Sequence, residues 1–476
     1  MTARTERRSR TRLIRQVGFL EVTALSVAIM GPTGSMALNG SLTAATDGTA
    51  TALAFVGATI VIALVAYSFV EFARKYAHAG SVYVFTGRSF GPRFGFVTAW
   101  IMIFAYLMFA FAVAVLSANF LESALALGGV QIPWIIPAVV FFGIMWFLAH
   151  RSVKLSTRTT LVIEGVSILV ILILSGVILA RGGAHGLSAT PFKVGSGGLS
   201  KVALASVFGF LSFAAFEGAA TLGEETNEPK RSIPRALAAA VFITGIFYIF
   251  CIWVQAEGFG TTTAGVNAFA SSSAPLADLA KSYVGTAMAL VIDLGAMVSA
   301  FASGVGLFTA SSRMLYALGR DGFGPPALGR VHPRYGSPYV ALAAVLVPGI
   351  VLSVILFIGG LSAASVFGDL GVLGVLALLV AYVITQFAAM RLFARERLWR
   401  PWQFVIPVLA IVALGYTLYA NVYPVPPAPV RYFPYIVAAW IVLGAVVAVA
   451  LPGLSAKIGR SFAEEGVPES LSQSEA

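Results

Sequence analysis

The chain has 476 residues, 58% of them hydrophobic and only 11% charged, with a formal net charge of +11. Soluble domains carry about 25% charged residues, and a chain this large cannot cover itself with polar groups from so small a supply. The composition excludes a soluble globular protein, and the single cysteine, Cys251, excludes an internal disulfide and any cysteine-based zinc spacing.

The apolar residues come in long runs, of which 52–70 (ALAFVGATIVIALVAYSFV) and 431–452 are examples. About 20 apolar residues cross a bilayer as a helix, and the period-two alternation of a membrane barrel is missing. Helices are expected at about 17–39, 50–71, 93–121, 132–149, 159–180, 202–223, 233–256, 284–317, 339–358, 363–390, 402–420 and 432–452. The basic stretch 1–16 precedes the first of these and has no cleavage site after it, so that span is expected to be retained. With both termini in the cytoplasm, only Arg181, Lys193, Lys201, Lys281 and Arg431 of the 31 Lys and Arg residues fall outside. That asymmetry sets the orientation, and it accounts for the net charge through contact with anionic lipid, without a nucleic-acid partner. The loop at about 257–283 is the largest outer one and a candidate partial lid, and the Ser/Glu-rich tail 453–476 is expected to be disordered.

Two spans carry signs of interruption. Span one holds Gly31-Pro32-Thr33-Gly34-Ser35, in which proline removes a backbone donor and glycine loosens the helix. Unwound backbone at membrane depth is tolerated where it faces protein or a cavity; a plain proline kink is the simpler alternative. Span six, FGFLSFAAFEGAATLGEE (208–225), places Glu217-Gly218 near its middle, where a carboxyl is costly and marks either a functional site or a structural hydrogen bond. The two spans stand five apart, as in carriers built of two inverted five-helix repeats with the solute at the midplane. Free N–H groups at such breaks attract a carboxylate and free carbonyls an ammonium group, so a zwitterionic amino acid fits both.

Three segments carry a family resemblance: AGSVYVFTGRSFGPRFGFVTAW (79–100), FAAFEGAATLGEETNEPKRSIPRA (213–236) and SSRMLYALGRDGFGPPALGRVHPRYGSPYVAL (311–342). In this order and spacing they make the chain resemble the amino acid–polyamine–organocation (APC) superfamily of secondary transporters, specifically its amino acid permeases, from about residue 15 to 452. The resemblance implies an all-α polytopic membrane protein of about twelve helices, with helices one and six broken. Its core, 17–390, would comprise two inverted repeats (about 17–180 and 202–390), followed by two additional helices in 402–452. It implies that backbone at Gly31, Pro32, Thr33, Gly34 and Ser35 holds the substrate carboxylate. Ser212, Phe213, Ala214 and Ala215 would hold the amine, Glu217 would be the sixth-span acid, and Phe210, Phe213 and Phe216 are alternative gates. Many relatives carry a Gly-Ser-Gly-Ile-like motif in span one, which this chain replaces. Some proton-coupled relatives carry a lysine in span five, a position that falls near Ser167 here.

The resemblance implies alternating-access transport of amino acids at the inner membrane, with proton-coupled symport as the first expectation and a polyamine or amine antiporter as the alternative. Glu217, Glu164, Asp293 and Asp369 are the coupling candidates, each with a structural hydrogen bond as the competing role. Ser299 and Ser303, with Thr309 further along, are candidates for a sodium site, against the commoner role of serines in helix contact. Gly368, Gly371 and Gly374 recur every three residues in span ten and are expected to allow close helix contact. No metal or cofactor is implied. His78, His150, His185 and His332 are scattered among loops and helix ends, and HExxH and GxSxG are missing, which argues against a membrane enzyme. No segment is long enough for a signalling domain, and none resembles a channel filter.

Overall fold

A computed structural model of the chain describes residues 18–75, 82–151, 157–217, 226, 228–320 and 325–450. The basic N-terminal stretch, His78, Lys154, Gly218, parts of all three resemblance segments and the tail lie outside the described residues. Every long element is helical. The first three are short: α1 (Phe19–Met30), α2 (Pro32–Met36) and α3 (Asn39–Asp47). They are followed by α4 (Thr51–Lys75), α5 (Val82–Phe90), α6 (Pro92–Leu127), α7 (Ile135–His150), α8 (Thr157–Ala180) and α9 (Gly198–Ser212). The second half holds α10 (Pro229–Phe259), α11 (Thr263–Ser271), α12 (Pro275–Tyr283), α13 (Thr286–Arg320), α14 (Tyr339–Ile358), α15 (Ala363–Arg395), α16 (Val405–Ala420) and α17 (Phe433–Ala450).

Among the described residues ten helical stretches are long and apolar enough to cross a membrane, and α7 and α9 are shorter apolar helices. Together they coincide with the expected spans, and the protein is an all-α polytopic membrane protein. Two regions read as loops contain helices. The segment after α4 folds into α5 before Gly91, at φ +101°, turns the chain into Pro92, the first residue of α6. The loop expected on the outside, at about 257–283, contains α11 and α12. Thr262 caps α11 by accepting from Gly265 N–H at 3.3 Å, and α12 buries Leu276, Ala277, Leu279 and Ala280. Period-3.6 patterns only nine residues long are easily missed inside polar surroundings.

Helix α6 lies at the centre with α13 and α15 both packed against it, and α10 packs along α4. Small residues permit this closeness. A methyl group at Gly209 would stand 2.5 Å from Ala58 Cβ, and one at Gly245 would stand 2.4 Å from Thr59 Cγ2. Lipid offers no hydrophobic drive between helices, so close backbone approach and interhelical hydrogen bonds hold them. Ser68 Oγ donates to Gln386 Oε1 at 2.6 Å, joining α4 to α15. At one end of the same pair, Lys75 forms an ion pair with Glu396. The additional helix α17 docks on α6 through two tryptophans that bond reciprocally. Trp100 Nε1–H donates to Trp440 O and Trp440 Nε1–H to Trp100 O, each at 3.0 Å, with the rings stacked at 4.6 Å.

Candidate functional site

Span one is discontinuous because Gly31 adopts a left-handed conformation (φ 57°, ψ 56°), ending α1 and turning the chain into Pro32. Glycine occupies that region without a Cβ penalty, and proline is suited to the first position of the next helix, where an N–H has no intrahelical partner. The donors that follow are all engaged. Thr33 N–H donates to Glu164 Oε1 at 2.9 Å and Gly34 N–H to Ser299 Oγ at 3.2 Å. Ser35 N–H returns to Gly31 O at 2.9 Å. On the α1 side, Ile29 O accepts from Ser303 Oγ at 3.0 Å, and Met30 O accepts from Ser35 Oγ at 3.3 Å. Ser299 and Ser303 thus pin the break to α13. From α8 the residue set against the break is Glu164, one turn before Ser167.

Span six is interrupted at Phe213. Helix α9 stops at Ser212, and Ala215 takes φ 64°, a conformation that costs a non-glycine residue about 1–2 kcal/mol. The strained turn is held from several sides. Asn39 Nδ2 donates to Ser212 Oγ at 2.7 Å, and Tyr248 O–H donates to Ser212 O at 2.9 Å. Glu217 follows the turn and is buried. Its Oε1 accepts from Tyr106 O–H at 3.1 Å and its Oε2 from Tyr382 O–H at 2.8 Å, tying span six to α6 and α15. Phe69, Phe216 and Tyr382 surround it, with ring centroids 5.5–5.7 Å apart. These residues lie between the two breaks and the end of the bundle marked by the Lys75–Glu396 pair.

The breaks meet at a small cavity of about 30 Å³, bordered by Gly31, Gly34, Ser35, Ala214 and Ser303. That volume accommodates about two water molecules, less than an amino acid. Phe109 of α6 and Phe367 of α15 supply the aromatic wall. Phe210, Phe213 and Phe216 are fully buried and border other helices instead; Phe213 packs edge-on against Tyr248 at 5.1 Å. Nothing in the sequence singles out Phe109, which sits in an unbroken apolar run, and Phe367 is overshadowed by its neighbours Gly368 and Asp369. Tyr106, Tyr248, Tyr382, Asn39 and Gln255 are likewise site residues that sequence reasoning missed. Gln255 Nε2–H donates to Met36 O at 3.1 Å. Of the triplet glycines, Gly371 and Gly374 are in close contact, with Leu211 Cδ2 and Phe109 Cε1 each 2.5 Å from where a Cβ would stand. Gly368 has room, its nearest neighbour being Leu42 at 3.4 Å.

The remaining acids stand apart from the cavity. Asp293 is buried on α13 beside Ser123, and its Oδ2 has no hydrogen-bond partner among the described residues. Asp369 is half-buried on α15. Thr309 Oγ1 donates to Val305 O within its own helix, at 2.7 Å. A second hollow, about 380 Å³, lies between α8 and α13 with Thr33 at its floor. Its walls include the exposed apolar residues Val162, Val166, Val291 and Leu294, so it opens on the membrane-facing side.

A first span broken at Gly31 and a sixth-span helix that ends at Ser212 border one small cavity within a polytopic bundle, an arrangement that fits a membrane carrier. The family comparison is specific. A model described as amino acid permease matches residues 17–447, and the chain belongs to that family, a family of transporters and not of enzymes. It is 28% identical to the branched-chain amino acid permease BcaP of Bacillus subtilis, over 69% of this chain and 72% of that protein. It is also 28% identical to the low-affinity putrescine importer PlaP of Escherichia coli K12, over 80% and 83%. A methylthioribose transporter of Bacillus subtilis is 25% identical, over 69% and 72%.

Proposed function

We propose that the protein is a secondary active transporter that moves small amino-bearing solutes, amino acids or amines, across the inner membrane by alternating access. The observation that carries this reading is the meeting of the two breaks at one small cavity. Backbone at the membrane midplane is unwound where it lines a solute path, and the site is walled by Phe109, Leu211 and Phe367 with hydroxyls from Ser35 and Ser303 at one side. The similarity to a branched-chain amino acid permease and to a putrescine importer supports a solute bearing an amine.

Protons are the proposed coupling ion. Glu217 and Glu164 are buried, Glu164 is hydrogen-bonded to span one and Glu217 to α6 and α15, and each stands next to a break. Sodium is the weaker alternative, because the Ser299 and Ser303 hydroxyls are already engaged with span-one backbone. The lysine and arginine asymmetry of the loops supports a cytoplasmic location for both termini. The test is uptake of radiolabelled amino acids and diamines into proteoliposomes, with and without an inward proton gradient. Gradient-stimulated accumulation of at least one such solute is expected. Equal, non-saturable leak of every solute in protein-containing and empty vesicles sinks the reading.

A further inference from the structure

We propose that Glu164 determines specificity by occupying the amide donors that a substrate carboxylate would need, so that the solute taken is an amine without a carboxylate of its own. This rests on the transporter reading above and narrows its substrate class.

The donors can be followed residue by residue. Pro32 has no N–H. Thr33 N–H is held by Glu164 Oε1, Gly34 N–H by Ser299 Oγ, and Ser35 N–H by Gly31 O. The stretch Pro32–Ser35, where an incoming carboxylate is expected to bind, therefore has no amide to give it. Glu164 cannot leave cheaply. It is 5% exposed, it comes from another helix, and a buried carboxyl stripped of donors loses its compensation for lost water. A substrate carboxylate would have to evict it and, whenever Glu164 has given up its proton, stand near a like charge in a poorly screened interior.

An amine without a carboxylate meets neither obstacle. It needs acceptors and negative potential, and Glu164 brings a carboxyl to the edge of the break. The cavity wall of Phe109, Leu211 and Phe367 suits an alkyl chain. Alkyl mono- and diamines are therefore the matching class. Within one protein, the resident side-chain carboxylate takes the part that the substrate's own carboxylate plays for a zwitterion.

The experiment uses the purified full-length protein in lipid nanodiscs and a matched series: leucine, leucinamide, isoamylamine and putrescine. Binding is read by competition with labelled putrescine and by thermal shift. The parent is expected to bind isoamylamine and putrescine at least tenfold more tightly than leucine, with leucinamide on the amine side of that gap. Glu164→Ala vacates Thr33 N–H and is expected to reverse the order, gaining leucine and weakening putrescine at least tenfold. Glu164→Gln keeps an acceptor on Thr33 N–H and should lose amine affinity without gaining leucine. Should Glu164→Ala fail to fold, the series on the parent alone still decides. Parent binding of leucine that leucinamide and isoamylamine cannot displace overturns the role of Glu164 and leaves the transporter reading intact. Absence of uptake for every amine and amino acid overturns both.

Discussion

At the scale of single residues, Glu217 is the acid whose role is most open to direct measurement. Both of its oxygens accept tyrosine hydroxyls, from α6 and from α15. Glutamine keeps the shape but cannot carry a proton. If Glu217 is the coupled site, Glu217→Gln in proteoliposomes retains solute exchange and loses accumulation driven by a pH gradient. Undiminished accumulation moves that role to Glu164, Asp293 or Asp369. Alanine at the same position strands two buried hydroxyls and should lower stability by about 1–3 kcal/mol per orphaned group, seen as a reduced thermal midpoint. Gly34 is a second case. A Cβ there would lie 3.2 Å from Ala300 N and 3.3 Å from Ala300 Cβ, on the α13 side, while the same residue borders the cavity. Gly34→Val should push α2 off α13, break the bond to Ser299 and abolish ligand-induced thermal shift. A full shift in that variant would show that the close approach is dispensable. The glycines, the proline and the acids of this site were legible because their residue types are unusual inside a membrane helix. Phe109 and the three tyrosines were not, since aromatics in an apolar run carry no positional mark until helices are packed, and Phe367 was read only as the neighbour of Gly368 and Asp369.

At the scale of elements, α15 shows how a helix can shape a cavity from behind. Gly374 leaves room for Phe109 and Gly371 for Leu211, and both of those side chains line the cavity. In Gly374→Ala the new methyl would sit 2.5 Å from Phe109 Cε1. Overpacking of this kind costs about 1–3 kcal/mol, and the relief open to Phe109 is movement into the cavity. The expected result is a folded protein with at least tenfold weaker solute binding. An unchanged affinity would show that Phe109 yields in another direction. Gly368→Ala, facing Leu42 at 3.4 Å, is the tolerant control. The period-three glycine pattern pointed to close contact, yet spacing alone could not separate the two tight positions from the open one. The span-six interruption was also only partly legible. Glu217 marked the region, but the left-handed residue is Ala215, in a run with neither glycine nor proline before it.

For the whole molecule, the long apolar runs and their order made the helical bundle readable, because hydrophobic length is a one-dimensional property. The small helices α5, α11 and α12 were not, since each is shorter than three turns and stabilised by packing. Sidedness is the remaining whole-molecule expectation. Lys230 and Ser273 are both exposed, and Cys251 is buried. In a Cys251→Ala background, Lys230→Cys should react with an impermeant thiol reagent only after the cells are opened, and Ser273→Cys in intact cells. Labelling of both from outside would overturn the twelve-span arrangement.

The reciprocal tryptophan pair offers a fixed mark against which movement can be read. Trp100 and Trp440 satisfy each other's indole N–H and stack face to face, away from both breaks. Neither ring has a reason to reorient when the cavity opens. Trp253 lies on the same helix as Gln255, which reaches span one, and its indole bonds Ser188 O at 3.3 Å. In near-ultraviolet circular dichroism the stacked pair should therefore give a coupled-chromophore band that persists through turnover, while the contribution of Trp253 changes. The optical signal of a working carrier would then contain its own internal standard.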